Sequence, residues 1–264
     1  MEAAFFDLDK TIIARPSLAA YGPVLRKAGY LSATTTLRAI WGQLLFRFSG
    51  TSESSMERVR KTALKLAAGW EQEGLRRLAN EHLTNVIEPI VFDEALEVLN
   101  LHREAGRLLV LVSASPAEIV EPLANHLEVD EYVATTATID VDGRYTGDVE
   151  LYVHGMVKAE AIENLAEKKG LDLSKSWAYS DSVSDIPMLE SVGFPVAVNP
   201  DRNLRREAEL REWPILEFDN PIALGDRIHI ERNQVIILLL SISAFIGLGL
   251  LIRKIFGREK TKSD

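Results

Sequence analysis

The chain has no cysteine in 264 residues. That excludes disulfide staples, thiolate nucleophiles and cysteine-ligated zinc. Its histidines, His82, His102, His126, His154 and His229, form no H-x-x-H or H-E-x-x-H pair, so a zinc site built on them is not expected. A positive surplus is lacking as well. The net charge is −9, which argues against the basic face of a nucleic-acid binder. Neither a G-x-S-x-G elbow nor a Walker P-loop occurs. What is present, 47% hydrophobic and 26% charged residues, is enough apolar material for a packed core and too much for disorder. The length suits one large α/β domain with a smaller insertion.

Ala3–Phe6 is a short apolar run that stops at Asp7. Residues 108–112 (LLVLV) stop at Ser-Ala-Ser-Pro, 176–179 at Ser-Asp, and 195–198 at Asn-Pro-Asp. Runs this short that end in turn-forming polar residues read as buried strands. Helical patterns at 93–105, 117–126 and 158–169 alternate with the later ones. The expected fold is therefore α/β, a doubly wound, mostly parallel sheet with ligands beyond the carboxyl ends of its strands. Residues 14–92 break the alternation with helical spacings only. Leu37, Ile40, Trp41, Leu44, Leu45 and Phe48 share one face, and Leu75, Leu78, Ala79, Leu83 and Val86 another. This is read as a helical cap inserted into a core made of 1–13 and 93–219. Residues 138–149, with an Asp142-Gly143 turn, read as a hairpin.

Four constellations carry chemistry. Asp7 and Asp9 follow the first strand and can face one way, which suits a divalent cation beside a nucleophile or an acid/base group. In Ser113-Ala114-Ser115-Pro116-Ala117-Glu118, Ser115 reads as an N-cap and Glu118 as the end of a capping box, which places a helix N-terminus as an anion site beside Ser113. Lys158 opens a helix, an unfavourable place for a cation unless an anion binds there. Asp181 and Asp185 follow another strand and offer further oxygen ligands.

Each is weak alone, but in this order at strand ends they resemble the haloacid dehalogenase (HAD) superfamily. The likeness is to its subfamily IB, which includes phosphoserine phosphatases, and it covers about residues 3–200. Asp7 to Thr11 matches D-x-D-x-T, Ser113 the second motif, Lys158 the third, and Asp181 and Asp185 the fourth. The resemblance implies a C1-type cap and a Mg²⁺-dependent phosphohydrolase. Asp7 would be the nucleophile and Asp9 the general acid and base. Ser113, the Ala114 amide and Lys158 would bind phosphate. Asp7, Asp9 (through its carbonyl), Asp181 and Asp185 would serve the metal. Lys10 stands where phosphoserine phosphatases usually have serine and many HAD enzymes glycine, and Ser180 where glycine is common; neither position supplies a required side chain. The glutamate that reads the ammonium of phosphoserine falls at Pro16, which counts against that substrate.

Residues 235–252 form an uncharged apolar stretch, expected to be a transmembrane helix after a linker at 220–234. A helix of that length spans roughly 27 Å. The basic tail at 253–264 favours a cytoplasmic end, and the lack of a leader favours a cytoplasmic catalytic part. One crossing cannot satisfy both, so a tail anchor at the inner membrane is preferred over a helix that inserts without crossing. The expected substrate is a small phosphorylated metabolite or a lysophospholipid-type phosphate. A catalytically silent scaffold of the same fold is the alternative from another class.

Overall fold

The computed structural model describes residues 1–31, 62 and 64–219. A seven-stranded sheet runs in the order β4-β3-β2-β1-β5-β6-β7. Strand β1 is Ala3–Phe6 and lies at the centre, parallel to β2 (Leu108–Pro116) on one side and β5 (Trp177–Ser180) on the other. Outward from β2 come β3 (Glu131–Ile139), parallel to it, and β4 (Tyr145–Leu151), antiparallel. Outward from β5 come β6 (Phe194–Val198) and β7 (Ile215–Leu216), both parallel. The chain builds outward from β1 in one direction and then, from β5, in the other. The crevice at such a reversal, beyond the carboxyl ends of the strands, is where open α/β sheets bind ligands.

Side-chain alternation sends the two halves of each central strand into separate cores. Ala4, Phe6, Leu109 and Leu111 join one cluster with residues of α1 (Ser17–Lys27), α2 (Gln72–Val86), α3 (Asp93–Glu104) and α4 (Ala117–His126). Ala3, Phe5, Val110 and Val112 join the other with residues of α5 (Met156–Lys169), α6 (Ile186–Glu190) and α7 (Arg202–Leu210). The sheet is thus covered on both faces, as the continuous apolar runs require.

Three local expectations need correction. Strand β2 does not stop at Val112 but continues through Pro116, so Ser115 is a strand residue and α4 has no side-chain cap. Helix α5 begins at Met156, behind Gly155 at φ 59°, which places Lys158 inside its first turn. The hairpin at 138–149 is the outer part of a longer element, because β3 starts at Glu131 and pairs with β2 before turning through Gly143 at φ 73°. Its first half is only partly buried and mixed in polarity, so periodicity did not reveal it.

Among the described residues of 14–92 there are α1, a helical stretch at 64–67, α2 and a 3₁₀ turn at Glu88–Ile90, and no named strand. The apolar face at Leu37–Phe48 and the stretch 235–252 lie outside the described residues. Among the described residues no helix is long and apolar enough to cross a membrane.

Candidate active site

The site grows from the end of β1. The Asp7 amide donates to the Tyr179 carbonyl at 2.9 Å, which carries the β1–β5 pairing one residue past the strand. The chain then turns sharply: the amides of Ile12 and Ile13 both donate to the Leu8 carbonyl, at 3.0 and 3.1 Å. Lys10 takes φ 68° to make that turn, a conformation favoured by glycine.

Asp7, Lys158 and Asp185 meet in a buried triad. Lys158 Nζ donates to Asp7 Oδ1 at 2.5 Å and to Asp185 Oδ2 at 2.7 Å. The lysine is 2% exposed, and its two partners are also buried. An ammonium in the first turn of α5 is thus explained by two carboxylates rather than by the helix. Burial raises the pKa of Asp7 well above the usual carboxylate range. The Lys158 charge opposes that, and the charges of Asp185 and Asp181 add to it. Burial also works against the Lys158 charge, but the two acids outweigh it and hold the ammonium protonated. The Thr11 hydroxyl donates to Asp7 Oδ2 at 3.3 Å.

Asp181 is the third buried acid. Burial lifts it to about 6 against the opposing charge of Lys10, whose Nζ lies 3.3 Å from Oδ2. Both Lys10 and Ser180 bond to the acids of the site. The Ser180 hydroxyl donates to Asp185 Oδ2 at 2.7 Å and accepts from the Ser182 amide at 3.2 Å. Asp201, which the sequence did not single out, braces the same loop. Its amide donates to the Asp181 carbonyl at 2.7 Å, its Oδ2 accepts from the Val183 amide at 3.0 Å, and its Oδ1 caps α7. An Asp directly before a helix was the available signal.

Asp9 points to a separate network. Its Oδ1 accepts from the Ser17 amide at 2.8 Å and its Oδ2 from the Ser115 hydroxyl at 2.9 Å. The capping box expected at Ser115 and Glu118 is therefore absent, because both side chains have other partners. Glu118 accepts from Gln72 Nε2 at 2.7 Å. Ser113 is buried within the second half of β2, where its hydroxyl accepts from the Ser115 amide at 3.1 Å. Ala114 lies half-buried between them. Two clefts, of about 470 and 300 Å³, are lined by other residues and lie away from these acids.

Three buried carboxylates against one buried ammonium leave excess negative charge, which buried sites do not keep without a cation or protons. The donors are all oxygens, the kind Mg²⁺ takes. Among the described residues no three acids already converge on one point. A magnesium ion, which keeps several waters, needs only two carboxylates and a carbonyl, so the residues fit it by donor type and charge.

A mostly parallel sheet with a carboxylate just past its central strand, a buried lysine against it and an acid pair after the next strand defines a hydrolase of the HAD-like class. The model of the haloacid dehalogenase-like hydrolases matches residues 4–190, and the chain belongs to this family. The "Inhibition of morphological differentiation protein" of Streptomyces azureus is 46% identical over 226 residues, 86% of this chain and 82% of that one. The phosphoserine phosphatase SerB1 of Mycobacterium tuberculosis is 35% identical over 218 residues, 82% of this chain and 70% of its own. A solved protein of unknown function from Bordetella pertussis superposes with a TM-score of 0.69 at 30% identity, covering 81% of this chain and 97% of its own. The chain is an enzyme, a HAD-family phosphatase.

Proposed function

We propose that the chain hydrolyses phosphate monoesters through an aspartyl-phosphate on Asp7, with Mg²⁺ as cofactor. The observation that carries this is the buried Asp7–Lys158–Asp185 triad with Asp9 held apart from it. Lys158 engages Oδ1 closely, whereas the Thr11 contact to Oδ2 is longer, so Oδ2 is the better disposed to attack. As the Asp7–phosphorus bond forms, the ester P–O bond breaks, and Asp9 gives a proton to the leaving oxygen. Water then attacks phosphorus, Asp9 takes its proton, and the carboxylate of Asp7 departs. Lys158, the Ser113 hydroxyl and the Ala114 amide hold phosphoryl oxygens. Asp7, Asp181 and the Asp9 carbonyl would hold the cation, with Asp185 behind them, and the bound cation would neutralise phosphoryl charge.

The proposed substrate class is a small phosphate monoester. Phosphoserine is the alternative suggested by the relative of that name. Pro16, directly before α1, offers no carboxylate for an ammonium group. A lysophospholipid-type phosphate at the inner membrane rests on the apolar stretch 235–252. A silent scaffold is disfavoured because every motif side chain is present. The test is turnover of a panel containing phosphoserine, lysophosphatidic acid and small sugar and alkyl phosphates, with Asp7→Asn as control. Loss in that variant is expected to reach at least about 10³-fold. Unchanged turnover would overturn the mechanism. Flotation of the full chain with anionic vesicles checks the membrane reading.

A further inference from the structure

We infer that the buried hydroxyls of Ser115 and Ser17 position the carboxyl of Asp9 for proton transfer. This rests on the general-acid role proposed above for Asp9. Ser115 and Ser17 are 4% and 0% exposed, yet neither hydroxyl caps the helix beside it. Ser115 stands just before the Pro116 N-cap of α4 and turns instead to Asp9 Oδ2, across 106 positions of sequence. The Ser17 and Ser115 oxygens lie 2.8 Å apart. A hydroxyl has one proton to give. Ser115 gives its proton to Asp9, so Ser17 is the donor to Ser115, and the chain of bonds runs from Ser17 through Ser115 to Asp9. The Ser17 amide fixes the other carboxyl oxygen. Both oxygens of Asp9 are therefore held, which sets its rotamer and the plane of its carboxyl.

A carboxyl that is held in this way keeps a lone pair of Oδ2, or its proton, available in one direction. Without the Ser115 hydroxyl, Oδ2 is free to rotate away from the leaving oxygen. The cost should fall on esters whose leaving group needs a proton. An alkoxide needs one, and a nitrophenolate leaves without one. A merely structural tie between β2 and α1 would slow both esters alike.

The experiment compares kcat/KM for an alkyl phosphate and for p-nitrophenyl phosphate, with Mg²⁺, in the full chain and in Ser115→Ala, Ser115→Thr, Ser17→Ala and Asp9→Asn. For Ser115→Ala the loss with the alkyl ester is expected on the order of tenfold, several times larger than with the aryl ester. Threonine, which keeps the hydroxyl, should restore most of it. Ser17→Ala retains its amide and should show a smaller split of the same sign, and it carries the test if Ser115→Ala does not fold. Equal losses on both esters, or no loss on either, overturn the inference. Asp9→Asn separates the two levels. If it shows the split and the serine variants do not, only the positioning role fails. If Asp9→Asn itself shows no split, the general-acid reading fails.

Discussion

Neighbouring residues of β5 serve two buried polar clusters on opposite faces of the sheet. Tyr179 turns to the face of α3, where its hydroxyl lies 2.8 Å from His102 Nε2. Ser180 turns to the face of α5 and bonds Asp185. The first cluster closes on itself. Arg107 lies 3.3 Å from His102 Nδ1, pairs with Glu2 at 2.9 Å and covers the Trp177 ring at 3.8 Å. A guanidinium only donates, so Nδ1 accepts and Nε2 carries the hydrogen. His102 is thus neutral, and burial with the Arg107 charge lowers it to about 4. The second cluster does not close. It holds three acids and one buried ammonium, and that imbalance distinguishes a site for chemistry from a scaffold.

The largest way to break this comparison is Lys158→Met. It leaves two buried acids without their cation, and stability should fall by about 3–5 kcal/mol in metal-free buffer. Turnover should fall by about 10²–10³-fold if the ammonium also stabilises phosphoryl charge. Denaturant unfolding and steady-state kinetics check both. Next is His102→Leu, which strips the Tyr179 hydroxyl of its partner. It should cost about 1–3 kcal/mol and change turnover far less than Lys158→Met. A comparable loss of turnover would mean that the closed cluster also serves the chemistry.

A smaller effect lies in pH. Asp181 binds a proton more readily in the fold, at about 6 against 3.8. Its contribution to stability is full below 3.8 and lost as pH rises through 6. His102 binds one less readily, at about 4 against 6.5, so its contribution is present above 6.5 and lost as pH falls toward 4. Melting profiles without metal should therefore change slope in opposite senses in Asp181→Asn and His102→Gln. Added Mg²⁺ should raise the melting midpoint more at pH 8 than at pH 5, since protons compete for the same carboxylates. A pH-independent shift would place the ion elsewhere.

The strands of the inner sheet were legible because short apolar runs end abruptly in polar, turn-forming residues, and Asp7, Asp181 and Asp185 stood out for the same reason, whereas Lys158 stood out as a cation at a helix start. What the sequence could not show is contact across it. Ser115 looked like a helix cap because local spacing cannot reveal Asp9, 106 positions away. Ser180 looked replaceable by glycine until Asp185 was placed beside it. His102, one of several unremarkable histidines, took on meaning only when α3 laid it against Tyr179. The outer half of the sheet was read less well, since β3 is partly exposed and carries no clean alternation.

Lys10 makes the turn after β1 at an angle that L-residues resist, and its ammonium faces Asp181. A single position thus sets backbone ease against local charge. Lys10→Gly should relax the turn, a change worth on the order of 1 kcal/mol, while leaving Asp181 without its nearby cation. Lys10→Ala should lose the charge and keep the strain. The two variants let drift at this position be read as two separable pressures, one on folding and one on the electrostatics of catalysis.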